Sequence, residues 1–315
     1  EWVERTIPLN WTILVSEHPE KEESKSKKRR YILLSDDYSK NISDALKILD
    51  AIHRDLDLRY SPILDWKDTE LYIRCHEEEV TPLLDTALSF FVANSEIEID
   101  GLFQFFLIDE EKRSADYLFA RYPLFYPLTF NQQRVKKLAS GTAGKVNKET
   151  PPQTMHLVIL SDNDNSRYVE WAIREAFWML PRYDNNIHTK ITILSPYATN
   201  ICWSVNASCP GFTSFSTLDG QEYEHPYCIS IDDITFPQIN YCSTSFTNRA
   251  LQYELEQLCT NDENLYFIVD SKSDLEGIRL GVKIREAIIR NTVFCNQIHH
   301  YSKYNFVIAL RLSNA

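Results

Sequence analysis

Short apolar runs alternate with amphipathic stretches along most of the chain. Residues 31–34 (YILL) run into the polar turn Ser35-Asp36-Asp37, and over 39–54 Ile42, Ala45, Leu46, Ile48, Leu49 and Ile52 recur at helical spacing. Residues 71–75 (LYIRC) form the next apolar run. Thr81-Pro82 then opens a helix expected to reach 92, with proline in the first turn, where its missing N–H costs nothing. Residues 103–108 (FQFFLI) predict a third strand, and residues 112–122 a third helix closed by Pro123. A short apolar run, 11–15 (WTILV), precedes all of these.

Residues 131–153 are polar, carry Gly141, Gly144 and Pro151-Pro152, and read as a linker. The alternation restarts with 155–160 (MHLVIL), the loop 161–165 (SDNDN), a helix over 166–180 and a strand over 190–194 (KITIL). From 195 to 237 Pro, Ser, Cys and aromatics mix without a clear period. Order returns as a helix over 248–259, a strand over 265–269 (LYFIV), a helix over 274–290 and a last strand over 306–310 (FVIAL). Buried strands alternating with helices predict an α/β fold with doubly wound, mostly parallel sheets. The loops after the strands then share one edge, where such sheets bind ligands.

An internal repeat organises the chain. Residues 31–37 (YILLSDD), a helix and 71–74 (LYIR) parallel 266–272 (YFIVDSK), a helix and 306–309 (FVIA). The second copy has two further strands before it. Residues 1–130 therefore read as the later half of a unit that residues 154–315 show whole.

Composition narrows the function. The chain has 315 residues, 7 of them glycine, and a formal charge of −12; average usage would give roughly 22 glycines. The shortage counts against glycine-rich phosphate cradles, and the negative charge against a nucleic-acid surface. The basic run 25–30 (KSKKRR) adjoins the glutamate-rich stretch 17–23 (EHPEKEE) and reads as a solvated loop. Seven cysteines without a C-x-x-C suggest free thiols rather than a zinc knuckle. Sequons occur at Asn10, Asn41 and Asn206. No apolar run reaches 18 residues, so no membrane span is predicted. The chain opens at Glu1 without an initiator Met, which predicts a piece of a longer protein.

The layout resembles the TrkA-N/RCK (regulator of potassium conductance) family, the nucleotide-binding regulatory domains attached to potassium channels and transporters. Residues 156–167 (HLVILSDNDNSR) stand where the family has its first strand, glycine turn and helix. Residues 191–198 (ITILSPYA) are similar to its second strand, and 267–274 (FIVDSKSD) to its fourth strand and acidic turn. In the first half, 70–76 (ELYIRCH) and 110–119 (EEKRSADYLF) resemble a late strand and the closing helix. The resemblance implies tandem Rossmann-like units, the first partial, forming a cytoplasmic, non-catalytic, ligand-sensing domain. It implies as partners the membrane-embedded portion of a channel or transporter in the same chain and further copies in a homo-oligomer, with no nucleic acid. The cofactor it implies is a nucleotide, NAD or an adenine nucleotide.

Two positions depart from the family pattern. The glycine turn is replaced by residues 161–167 without a glycine, and the acidic residue ending the second strand by Ser195. Side chains there obstruct a pyrophosphate, and Asp162 and Asp164 repel it. The candidate ligand-binding residues are Ser161, Asp162, Asn163, Asp164, Asn165, Ser166, Ser195 and Asp270. The alternative is helix capping by Asn165 or Ser166, with Glu170 in the first turns, and an interaction or assembly module with a decayed nucleotide site. Asp36 and Asp37, which end the strand equivalent to that of Asp270, divide between the same two readings. Asp162, Asp164 and Ser166 imitate a calcium loop, but Arg167 and Ile173 stand where glycine and glutamate are needed. His76 beside residues 77–79 (EEE), and His299-His300, are adjacent and predict no metal site. No nucleophile elbow, Walker A or H-E-x-x-H occurs. An enzyme acting on a nucleotide-like molecule would have to draw on Cys202, Cys209, Cys228, Cys242, His225 or Asp232, a set that spacing does not resolve. No catalytic residue is assigned.

Overall fold

The computed structural model describes residues 12–15, 29–57, 69–76, 80–84, 86, 103–129, 154–181, 187–222, 236–260, 264–299 and 306–312. The chain divides into two compact units, Glu1–Arg113 and Ser114–Ala315. The expected linker, 131–153, lies outside the described residues, as do His225, Cys228, Asp232 and His300.

In the first unit, strands β1 (Thr12–Val15), β2 (Arg29–Leu33), β3 (Thr69–Arg74) and β4 (Phe103–Ile108) lie side by side in that order. β1 is antiparallel to β2, while β2, β3 and β4 are parallel. Helix α1 (Tyr38–Asp57) joins β2 to β3. Its Ala45, Ile48 and Leu49 are buried with Tyr31, Leu33, Leu71 and Ile73, which alternate along the strands and so share one face. Leu46, expected on the same stripe, is 37% exposed. The opposite face carries register partners Tyr72 and Phe106, whose rings stack at 4.6 Å. The buried Asn41 ties the strand ends together. Its amide donates to the carbonyls of Ser35 and Arg74 at 2.7 and 2.8 Å and accepts from the Ser35 N–H at 2.9 Å. That sequon is therefore consumed by the fold.

Helix α2 (Glu110–Arg121) contains the division between the units, and its Ala115 and Phe119 belong to the second core. The second unit continues with β5 (Thr154–Ser161), α3 (Arg167–Met179), β6 (His188–Ser195), α4 (Ala198–Ser208) and a 3-10 turn (Pro210–Phe215). Then come β7 (Ser216–Leu218), β8 (Gln221–Glu222), β9 (Gln238–Ser243), α5 (Asn248–Thr260), β10 (Asn264–Asp270), α6 (Asp274–His299) and β11 (Val307–Arg311).

The seven-stranded sheet runs β11-β10-β5-β6-β9-β7-β8, parallel except for the β7–β8 hairpin. Asp219 and Gly220 both have positive φ, 49° and 82°, the pair a tight two-residue hairpin requires. With that hairpin set aside, the strands stand in the Rossmann order third, second, first, fourth, fifth. Alternation along the central strands separates two cores. Leu157, Ile159, Ile191 and Ile193 meet α3 and α4, while Val158, Leu160, Phe267 and Val269 meet α5 and α6. Helices thus cover both faces, and the fold is α/β, doubly wound and Rossmann-like. Each fully buried aliphatic side chain contributes about 1.5–3 kcal/mol. Gly281 permits close approach of α6, since a Cβ there would meet Leu310 Cδ2 at 2.9 Å.

Both copies of the internal repeat fold as parallel strand–helix–strand units, β2-α1-β3 and β10-α6-β11. The stretch without a period holds α4, the 3-10 turn, β7 and β8, and β9 follows it. α4 is poor in strong helix formers (ATNICWSVNAS), and its N-cap Tyr197 makes no side-chain cap bond. Packing of Ile201, Cys202 and Val205 into the core holds it instead. No helix among the described residues is long and apolar enough to cross a membrane.

Candidate functional site

In the second sheet the order reverses between β5 and β10, whose last residues, Ser161 and Asp270, are register partners. The crevice outside their carboxyl ends is the place where such folds bind ligands. Three turns converge on it: 161–166 after β5, 196–197 after β6, and 271–273 after β10.

The first turn satisfies itself. Ser161 Oγ accepts from the Asn163 N–H at 3.2 Å, and Asn163 Oδ1 accepts from the Asn165 N–H at 3.3 Å. Ser166 has extended backbone (φ −88°, ψ 102°), and its Oγ accepts from the Val169 N–H at 3.2 Å. Ser166, not Asn165, is therefore the N-cap of α3, with the buried Glu170 in the first turn. The Val169 N–H, one of the groups a phosphate at this helix end would use, is already bonded to the Ser166 side chain.

The two aspartates cross to the turn after β10. Asp162 Oδ1 accepts from the Lys272 backbone N–H at 2.9 Å, and Oδ2 from Ser271 Oγ at 3.1 Å. Asp164 Oδ1 pairs with Lys272 Nζ at 2.8 Å. Lys272 holds the Asp164 carboxyl below its ordinary value, and Asp164 in turn raises the Lys272 ammonium. The ammonium also lies 5.3 Å from the centre of the Tyr197 ring. Tyr197 is fixed by Ser195, whose buried Oγ accepts from the Tyr197 N–H at 3.0 Å. Lys272 thus spans the crevice from the β10 side to the β5 and β6 sides.

Asp270 stands behind this bridge, buried to 2% exposure. Arg311, on β11, donates to its Oδ1 at 3.1 Å and lies 4.9 Å from the centre of the Tyr168 ring. The other oxygen, Oδ2, is buried without a hydrogen-bond partner among the described residues. Burial, and secondarily the Asp270 charge, pushes the Tyr168 hydroxyl up to about 12.

The structure therefore gathers Ser161, Asp162, Asn163, Asp164, Asn165, Ser166 and Asp270 at one edge and gives Ser195 a turn-fixing hydrogen bond. The spacing did not single out Lys272, Tyr197, Arg311 or Tyr168. Lys272 was legible in principle, since the strand order places a turn two residues past Asp270 beside Asp162. In the first unit Asp37 Oδ1 accepts the Lys40 N–H at 3.2 Å, and Asp36 pairs with Arg74, so these residues serve as cap and ion pair. Two of the candidate thiols are raised: burial pushes Cys202 up to about 11 and also raises Cys242. No known protein family, curated protein or solved structure matches the chain.

Proposed function

We propose that the chain is a non-catalytic, ligand-sensing regulatory module, of the kind that the TrkA-N/RCK resemblance implies for a potassium channel or transporter. In that setting it lies on the cytoplasmic side, joined to the membrane-embedded portion of its own chain and assembled with further copies. The observation that carries the reading is the Lys272 bridge across the switch point, from Asp162 and Asp164 to Tyr197. The bridge is a contact that a ligand must open. A ligand with higher affinity for the open form shifts the population toward it, and that shift is the signal. Asp162 and Asp164 disfavour a pyrophosphate, whereas Asp270 Oδ2 is an acceptor suited to a ribose hydroxyl or an adenine amino group. Those chemistries support an adenine nucleotide, or NAD held other than through a glycine cradle. The raised thiols of Cys202 and Cys242 support the non-catalytic assignment.

A second reading is an interaction or assembly module with a decayed nucleotide site. The hydrogen bonds that residues 161–166 satisfy among themselves favour it. Thermal unfolding with NAD, NADH, ATP, ADP, AMP and cyclic dinucleotides separates the two. A rise in melting temperature with one of them supports sensing, and a flat response to all supports the interaction module.

A further inference from the structure

We propose that His76, Asp109 and Glu111 form a binding site for a divalent transition-metal ion of the zinc class at the carboxyl edge of the first sheet. The site lies in the first unit and does not rest on the reading of the second.

Topology brings the three residues together. β3 and β4 are adjacent and parallel with Arg74 opposite Ile108, and the ladder extends one step further through the Cys75 N–H donating to the Ile108 carbonyl at 3.1 Å. His76 follows the end of β3, Asp109 follows β4, and Glu111 lies in the first turn of α2. Residues 33 and 35 apart in the chain are thereby neighbours, while residues 77–79, beside His76 in sequence, lie outside the described residues.

One ligand atom from each side chain lies within 4.8 Å of the others. His76 Nδ1 stands 3.8 Å from Glu111 Oε2. That is too long for a hydrogen bond. It is close to the separation of about 3.4 Å expected for two ligands of one tetrahedral zinc, with metal–nitrogen and metal–oxygen bonds of about 2.0–2.2 Å. His76 Nδ1 is buried and has no hydrogen-bond partner among the described residues.

The surrounding groups fix the ligands. The His76 ring packs edge-on against Tyr38 at 4.5 Å, which sets the imidazole plane. Buried Asp109 is oriented by the Lys112 N–H, which donates to its Oδ1 at 3.1 Å. Glu110 turns outward to Arg74 at 2.7 Å, so the two glutamates at the start of α2 diverge and only Glu111 faces the histidine. His76 and Glu111 keep 19% and 20% of their side-chain surface exposed, which leaves an ion a route in. One imidazole with two carboxylates suits zinc, manganese, iron or cobalt. Calcium and magnesium favour oxygen throughout. Three protein ligands leave a further position for water.

The test is equilibrium dialysis of the full 315-residue chain, freed of metal by chelation, against Zn²⁺ and then Co²⁺. The expected result is one tightly held equivalent, with visible cobalt absorption, that weakens on the order of 100-fold in both His76→Ala and Glu111→Gln. Glu111→Gln keeps side-chain length on a partly exposed helix start, so unchanged far-UV circular dichroism separates loss of the site from loss of the fold. Absence of a tight equivalent in the wild-type chain, or full retention in His76→Ala, overturns the proposal.

Discussion

Lys272 Nζ lies 2.8 Å from Asp164 Oδ1, joining the turn after β10 to the turn after β5 across the switch point of the second sheet. Both side chains are half exposed. Such pairs contribute little to stability because water and salt screen them. The importance of this one is positional, since it spans the place where a ligand would enter.

The pair has a definite pH signature. Asp164 titrates below its ordinary value because of Lys272, so its contribution is present above the unfolded carboxyl pKa and fades as pH falls through the lower, folded value. Lys272 is raised, so its contribution is present below the unfolded lysine pKa and fades as pH rises through the folded value. In Lys272→Ala the Asp164 carboxyl should titrate higher, toward the ordinary aspartate value, while the melting temperature near neutral pH scarcely moves. Carboxyl-detected NMR titration of the two proteins checks this. An unchanged Asp164 titration would show that the pair does not form in solution.

Arg311→Ala should destabilise the second unit by about 3 kcal/mol, because it leaves the buried Asp270 carboxylate without its cation. Arg311→Lys should cost less. The double variant Asp270→Leu with Arg311→Met should recover most of the loss. Urea unfolding followed by the fluorescence of Trp171, Trp178 and Trp203 measures all three. A single Arg311→Ala variant as stable as the wild type would contradict the pairing.

Tyr241 Oη is fully buried without a hydrogen-bond partner among the described residues, and burial holds its hydroxyl well above the ordinary tyrosine value. Tyr241→Phe keeps the ring in the core and removes the unpartnered group. It should stabilise the unit by about 1 kcal/mol. A loss of similar size in the same urea experiment would reveal a hydrogen bond at this oxygen.

Two glycines of α6 should respond differently. At Gly277 a Cβ would meet only Ser271 Cβ, at an ordinary 3.5 Å, so Gly277→Ala should add about 0.5–1 kcal/mol through helix propensity. At Gly281 the new Cβ would press on Leu310, and Gly281→Ala should forfeit that gain. Melting temperatures of the two variants, compared side by side, check the difference.

Much of the architecture was legible in the apolar pattern. Runs such as 155–160 and 265–269 are continuous because their strands are buried on both faces, and their alternation with amphipathic stretches predicted the parallel sheets. α4 and β9 were not legible. α4 is held by tertiary packing against poor propensity, and β9 (QINYCS) buries only Ile239 and Tyr241. The edge residues followed from the strand–loop boundaries at Ser161, Ser195 and Asp270. Their partners did not, because Lys272, Arg311 and Tyr197 reach them only through the order of the strands. His76 shows the same limit: Asp109, just past β4, and Glu111, in the first turn of α2, reach it only through the pairing of β3 with β4.

The ligand-sensing reading is tested most directly by calorimetric titration of the wild-type chain and of Asp270→Asn with NAD, NADH, ATP, ADP, AMP and cyclic dinucleotides. A sensing crevice requires measurable binding of at least one of these to the wild type, weakened at least tenfold in Asp270→Asn. At 100-fold excess over Kd that ligand should also stabilise the wild type by about 2.7 kcal/mol. No binding of any nucleotide, or binding indifferent to Asp270, would contradict it.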